Sequence, residues 1–558
     1  MKVSKKSGSV SGPLFLDANH TMNTESNPFY FWLAAILVFC LGLLAGAVVM
    51  QRRIAQVRPV INYVQGSKVD AVIRLIDADY VDTVDNDKLV SAGLDAILHS
   101  LDPHSVYMPP QDFEKAEEEI QGNFQGIGVQ FRMIDDTVTV IMPVSGGPSE
   151  KVGVQPGDRI IVAGNDTISG KKMNTDEVVK HLKGPKGTKV RLGLQRAQAQ
   201  DLVWVEVKRD LIPTYSVDVH FVVEPGIGYI KVSKFSATTA AEFAKAMKDL
   251  SKAGVRQLII DLRSNGGGLL TSCLEMADMF LDAGSSIVYT EGRNRKRQEV
   301  RATGRGKYRD MELVVLIDEW SASASEIFAG AIQDNDWGII IGRRSFGKGL
   351  VQEQMDLGDG SALRLTVARY YTPSGRCIQK SYAGGYQDYE EDLLRRYLNG
   401  EMTGTDSLSP FDTIKYYTVG GRVVYGGGGI EPDIVLPYKT DSLFVYQNRL
   451  SNGGYIYSFS FSYTNKNRAQ LKADYPSAKL FTEKFEVSDA LFEEFLRYCE
   501  QKGLAPDKAS IAKYKDNMKL TLKALVGRDL YDDLGFYPTY LQRDDDYIEA
   551  LQQLHKNR

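Results

Sequence analysis

Residues 313–352 read LVVLIDEWSASASEIFAGAIQDNDWGIIIGRRSFGKGLVQ, and the rest of the chain is organised around them. Residues 313–317 are an apolar run of strand length. A turn of small residues follows: Ser321, Ala322, Ser323, Ala324 and Ser325. Ile327, Phe328, Ala331 and Ile332 then recur at helical spacing, and residues 338–341 form a second apolar run. Strand, helix, strand in this order predicts a βαβ crossover in an α/β fold. The serines therefore fall where a strand ends and a helix begins. Free N–H groups and the positive end of the helix dipole favour an anion there. A serine nucleophile so placed has oxyanion donors beside it.

Such a serine needs a base. The histidines are His20, His99, His104, His181, His220 and His555, so none lies between 221 and 554. Lys348, in SFGKG at 345–349, is the nearer candidate. Its flanking glycines let the backbone bend round the amine, and an apolar setting would lower its pKa. The bland alternative is that Ser323 caps a helix and Lys348 is a solvated cation. Local chemistry alone leaves both open.

SASASEIFAGAIQDN followed by FGKGLVQ resembles the C-terminal processing peptidases, tail-specific serine proteases with a Ser/Lys dyad. The resemblance implies Ser323 as nucleophile, Lys348 as base 25 residues on, and Gln352 as the residue that holds the lysine amine. It covers about 62–437. DLRSNGGG at 261–268 matches the family's oxyanion segment, which implies the Gly267 amide, with Gly268 close behind, paired with the amide of Ala324. YYTPSGR at 370–376 and IEPD at 430–433 resemble the family's core-closing segments. The three consecutive glycines are not a phosphate loop, because no Gly-Lys-Ser/Thr follows.

Composition bounds the remaining readings. The chain has 558 residues, 43% of them hydrophobic, and a net charge of −4, which is room for several domains and no electrostatic footprint for nucleic acid. Cys40, Cys273, Cys377 and Cys499 show no CxxC or metal-ligand spacing, and no metal or cofactor is expected.

In chain order, residues 1–28 are a polar tail and 29–50 are apolar for 22 residues without a charge. That length spans a bilayer and predicts an uncleaved transmembrane anchor. Charge leaves the orientation open, with Lys2, Lys5 and Lys6 on one side and Arg52 and Arg53 on the other. The resemblance implies a catalytic part outside the cytoplasm: an inner-membrane protein with a periplasmic protease. Residues 51–119 are predicted helical, with Val72, Leu75, Ile76 and Tyr80 on one stripe and LDPHS at 101–105 as a break. His104 reads as a turn residue. Residues 120–209 resemble a PDZ domain, in which Gly126, Ile127, Gly128 and Val129 would take a terminal carboxylate and a peptide would add a strand. Residues 210–440 form the protease core, which the resemblance makes crotonase-like, and 388–410 read as a polar surface excursion. Residues 441–558 read as a mainly helical C-terminal extension that packs on the core or on a second subunit, with Leu491, Phe492, Phe495 and Leu496 on one helix face.

The expected function is a membrane-anchored serine endopeptidase that recognises substrates by their C-terminal tails, with protein or peptide partners and a homo-oligomer left open. The rival from another class is a non-catalytic PDZ scaffold at the membrane surface. A second enzymatic rival, an acyl-CoA enzyme on the same core fold, is disfavoured by the Ser/Lys pair.

Overall fold

The computed structural model describes residues 37–47, 50, 68–196, 199–404, 414–439 and 441–556. The chain divides into two units, Met1–Val90 and Ser91–Arg558. In the first, residues 37–47 and 50 are helical and exposed, and the rest of the expected anchor lies outside the described residues. Among the described residues no helix is long and apolar enough to cross a membrane. The Lys68–Asp79 helix follows the predicted stripe, but only Ala71 is buried and Val72, Leu75 and Tyr80 stand exposed.

The second unit is built on a six-stranded sheet. Its spatial order is Val217–Glu224, Ile227–Val232, Gln257–Asp261, Glu312–Ile317, Gly338–Gly342, Ile434–Val435. Only the first pair is antiparallel. Both faces are covered, which is why these strands read as unbroken apolar runs. Leu258, Ile260, Leu313, Val315 and Ile317 face the helices Thr239–Lys252, Leu270–Asp278 and Ala324–Asp334. Ile259, Val314, Leu316 and Ile341 face Leu541, Tyr547, Ala550 and Leu554. The last helix of the predicted extension, Asp545–Lys556, therefore packs on the core as a layer of this sheet. The earlier helices, from Phe444–Asn452 to Asp489–Gln501, pack with the long Lys508–Tyr540 element round a core of their own. Leu491, Phe492, Phe495 and Leu496 are buried there as predicted.

The module before the core is a sheet in the order Val129–Ile134, Thr137–Pro143, Arg159–Ala163, Lys189–Gln195, Val203–Lys208, closed by the helix Thr175–Leu182. Asn174 caps that helix in a reciprocal box with Glu177. Among the described residues Val129–Ile134 pairs on one side only, so the sheet has an open edge. The chain enters through Asn123–Gly126 and leaves through Asp210–Pro213, and these two segments pair antiparallel. Adjacent ends mark the module as an insertion.

A second sheet carries Val106–Met108 on Ala362–Tyr371, which also pairs with Leu350–Asp356 and Ser286–Gly292. Through Val106–Met108 the end of the predicted N-terminal helical region is stitched into the core. The stretch predicted as a polar surface excursion instead folds into the short helices Tyr386–Glu390 and Asp392–Leu398, and its Tyr389 and Arg396 are buried. An amphipathic tyrosine hidden among charges carries no periodic signal that would have shown this.

Candidate active site

The three serines of the turn have divided duties. Ser321 is fully buried and its hydroxyl donates to the Leu262 carbonyl at 2.9 Å. Ser325 is fully buried and donates to the Asn265 carbonyl at 2.8 Å. Ser323 is half-buried, and its hydroxyl proton has no acceptor among the described residues. Ser323 is also the residue with φ 54° and ψ −113°, at the N-cap of the helix Ala324–Asp334. Such a backbone is strained for a residue with a Cβ and persists only where its surroundings over-determine it. Here they do: the turn is tied to the strand end on one side, and all of residues 324–334 are buried on the other.

Gly267 and Gly268 lie against this turn. A Cβ on Gly267 would stand 2.8 Å from Ser323 Cβ and 2.9 Å from Ala324 N. One on Gly268 would stand 2.1 Å from the Phe235 carbonyl oxygen. Both have positive φ, 97° and 134°, so glycine is required for space and for conformation. The Gly267 amide, expected to face an oxyanion, has an acceptor within the chain. Asn265 anchors its Nδ2 on the Val232 carbonyl and takes the Gly267 N–H on its Oδ1 at 2.9 Å. Among the described residues the N–H groups of Gly268 and Ala324 have no partner.

Lys348 is half-buried. Desolvation, with the Arg364 guanidinium next in weight, brings its ammonium down to about 8, against weaker opposition from Glu326 and Asp102. It is not the solvated cation of the bland reading. Its amine makes no hydrogen bond among the described residues. Gln352, expected to hold that amine, donates its Nε2 to the His104 carbonyl. That contact leaves the amide's Oε1 as the end available to a lysine.

His104 sits in the LDPHS turn, where Asp102 Oδ1 accepts from the amides of His104 and Ser105 at 2.8 and 2.9 Å. Its Nε2 lies 2.7 Å from the Tyr389 hydroxyl. Burial first, and the Lys348 cation second, push the imidazole down to about 3. A base that weak does not serve a serine at neutral pH. The predicted turn role holds, but the turn borders the lysine.

Two side chains that the sequence reading passed over bind both candidate residues. Glu326, fully buried, accepts the Ser323 and Lys348 amides on the same oxygen, Oε2, each at 2.8 Å. The hydroxyl of buried Tyr370 meets the carbonyl oxygens of Ser323, at 3.1 Å, and of Lys348. A Ser-x-x-Glu at a helix start is a capping-box signal, so Glu326 was within reach of the sequence. Tyr370 was not, since it arrives from a different sheet.

In the inserted module Gly126 closes the stem, opposite Asp210, and does not form the loop apex. The Ile127 carbonyl accepts from Ser149 N at 3.1 Å and Oγ at 2.7 Å, and the Gly128 carbonyl from Val144 N at 2.9 Å. With the carbonyls engaged, the Ile127 and Gly128 N–H groups are without partners among the described residues. Gly128 has φ 71°. Val129 opens the edge strand, with Val178 and Leu182 of the flanking helix buried in the same core. Three of the four expected carboxylate-binding residues are thus at the loop, and Gly126 positions it.

Residues 226–390 match peptidase family S41, residues 125–208 match the PDZ domain, and residues 446–532 match a family of unknown function, DUF8443. The carboxy-terminal processing protease CtpA of Bacillus subtilis is 36% identical over 314 residues, which is 56% of this chain and 66% of that protein. A probable CtpA-like serine protease of Staphylococcus epidermidis is 33% identical over 315 residues, 56% of this chain and 62% of that protein. The chain thus spans a little under two thirds of the length of these relatives. The photosystem II D1 C-terminal processing protease is 30% identical, covering 55% of this chain and 89% of the other, with a TM-score of 0.31. The chain belongs to the C-terminal processing peptidases of peptidase family S41 and carries a PDZ domain.

Proposed function

We propose that the chain is a serine endopeptidase that cuts proteins held by their C-terminal tails, with Ser323 and Lys348 as its dyad. The observation that carries this is the shared acceptor: one Glu326 oxygen takes the amides of both residues, which places their backbones side by side. Neutral Lys348 takes the proton of the Ser323 hydroxyl as it attacks the scissile carbonyl. The Gly268 and Ala324 N–H groups face the oxygen as it gains charge. The lysine then protonates the leaving amine, and water releases the acyl group by the reverse use of the same base. Gln352, fixed by its bond to the His104 carbonyl, presents Oε1 to the amine and keeps it aimed at Ser323. The core is read as crotonase-like, and the reaction as drawn needs no metal.

In the same proposal Ile127, Gly128 and Val129 hold the substrate's terminal carboxylate, and its last residues lengthen the Val129–Ile134 edge. The apolar segment 29–50 anchors the protein in the inner membrane with the catalytic part on the periplasmic side. Cleavage of a denatured test protein by wild type beside Ser323→Ala tests the reading. Fragments from the wild type alone are expected, and equal fragmentation by both would refute it. Membrane fractionation tests the anchor, since a soluble mature chain starting near residue 48 would refute that part alone.

A further inference from the structure

Glu326 lies on the helix that Ser323 begins, but three of its four hydrogen bonds go elsewhere. Oε2 takes Ser323 N and Lys348 N, each at 2.8 Å. Oε1 takes Gly347 N at 2.7 Å and Ser345 Oγ at 2.5 Å. The Ser345 hydroxyl in turn accepts Ile430 N at 2.6 Å. A helix cap needs only the first of these contacts. The other three fasten the 345–348 loop, which carries the lysine, to the turn that carries the serine. On the carbonyl side the Tyr370 hydroxyl meets Ser323 O and Lys348 O. The backbone polar groups of both residues thus meet one carboxylate and one phenol, both buried.

We infer that Glu326 is a positioning residue, seconded by Tyr370, that fixes the separation of Ser323 and Lys348 and keeps the lysine amine within reach of the serine hydroxyl. The inference rests on the dyad reading and adds to it the part that sets the distance. A base that drifts by an ångström loses most of its rate advantage, so such a clamp acts on kcat.

Its charge has a second consequence. Four donors and no acceptor surround the carboxylate, and they favour its anion although burial pushes Glu326 upward. The anion favours the charged lysine. The groups facing Lys348 are Glu326 on the nucleophile helix, Asp102 on the N-terminal turn and Arg364 on the Ala362–Tyr371 strand. His104 packs nearby in its neutral form, and Lys380 beyond it. Removing the Glu326 charge leaves Arg364 less opposed, so the lysine should lose its proton at a lower pH.

The test is the pH dependence of kcat and KM for Glu326→Gln, with Tyr370→Phe and Ser323→Ala alongside. The glutamine keeps the shape, turns an N–H₂ toward donors and removes the charge. We expect kcat to fall about 100-fold with KM nearly unchanged, and the ascending limb of the profile to move to lower pH. Tyr370→Phe should lower kcat by about 10-fold at constant KM, with the limb in place. Should Glu326→Gln fail to fold, Tyr370→Phe decides, because it removes only a hydroxyl. Wild-type kcat in either folded variant overturns the clamp, and so does a loss in Glu326→Gln with an unmoved limb. An active Ser323→Ala refutes the dyad instead, whereas an inactive Ser323→Ala beside a fully active Glu326→Gln refutes the clamp alone.

Discussion

The serine turn at 321–325 and the loop at 126–129 both leave backbone N–H groups without partners among the described residues, yet they are held to different standards. Around the turn every neighbour is fixed. Ser321 and Ser325 are fully buried with bonded hydroxyls, Ser323 is held at φ 54°, and a Cβ on Gly268 would strike backbone at 2.1 Å. At the loop a Cβ on Gly128 meets only side chains, Ile212 Cδ1 at 2.9 Å and Pro148 Cδ at 3.2 Å, and the adjoining strand has a free edge. Donors that stabilise developing charge act best when they need no reorganisation. An edge that accepts tails of different sequence has to leave room for their side chains. On the proposed function, rigidity belongs to the chemistry and openness to recognition, within one chain.

The comparison breaks most sharply at the dyad. Ser323→Ala and Lys348→Ala should each lower kcat/KM by roughly 10³-fold or more, because the two act as one unit. A folded Lys348→Ala enzyme with near-normal turnover would end the assignment. Next comes Gly268→Ala, whose methyl must displace the Phe235 carbonyl. It should cost about 100-fold in kcat through misplacement of an oxyanion donor. The matching change at Gly267 would fill the space beside Ala324 N, while its own amide stays with Asn265.

The pH profile sharpens the contrast further. Lys348 is brought down to about 8, and it works as a base only when neutral. Below that value kcat/KM should fall about tenfold per pH unit, and above it level off. His104, already neutral above about 3, should add no second limb near neutrality. Replacing His104 by Gln should leave the position of the limb unchanged.

The smallest effect belongs to the loop. Gly128→Trp should abolish the preference for a substrate with a free apolar C-terminus over its amidated form, a preference expected at about tenfold. The same variant should still acylate Ser323 with a small probe at the wild-type rate. Loss of acylation would show that the loop and the turn are not separately built.

Much of this was legible in the residues. The apolar run GIII at 338–341 predicts a strand, and it has no alternation because the sheet is covered on both faces, as is true of LII at 258–260. That Ser323 sits at a strand-to-helix turn and Lys348 just after the next strand follows from the same pattern, whereas their roles rest on the resemblance. What escaped depends on side chains that meet across long separations. Which of two adjacent glycine amides is free is decided by Asn265, whose other end is pinned to Val232. Which of the two surfaces open to the extension takes Asp545–Lys556 is decided by Tyr547, Ala550 and Leu554 meeting strands more than two hundred residues earlier. Tyr389 reaches His104 from a stretch whose composition is that of a surface loop.

The central claim is that Ser323 is the nucleophile and neutral Lys348 its base. The most direct measurement is the rate and site of covalent labelling by a β-lactone acylating probe, followed by intact mass and peptide mapping across the pH range for wild type and Lys348→Ala. The account predicts a single adduct on Ser323 whose rate rises through pH about 8, and no adduct in Lys348→Ala. An adduct on any other residue, or labelling of Lys348→Ala at the wild-type rate, would contradict it.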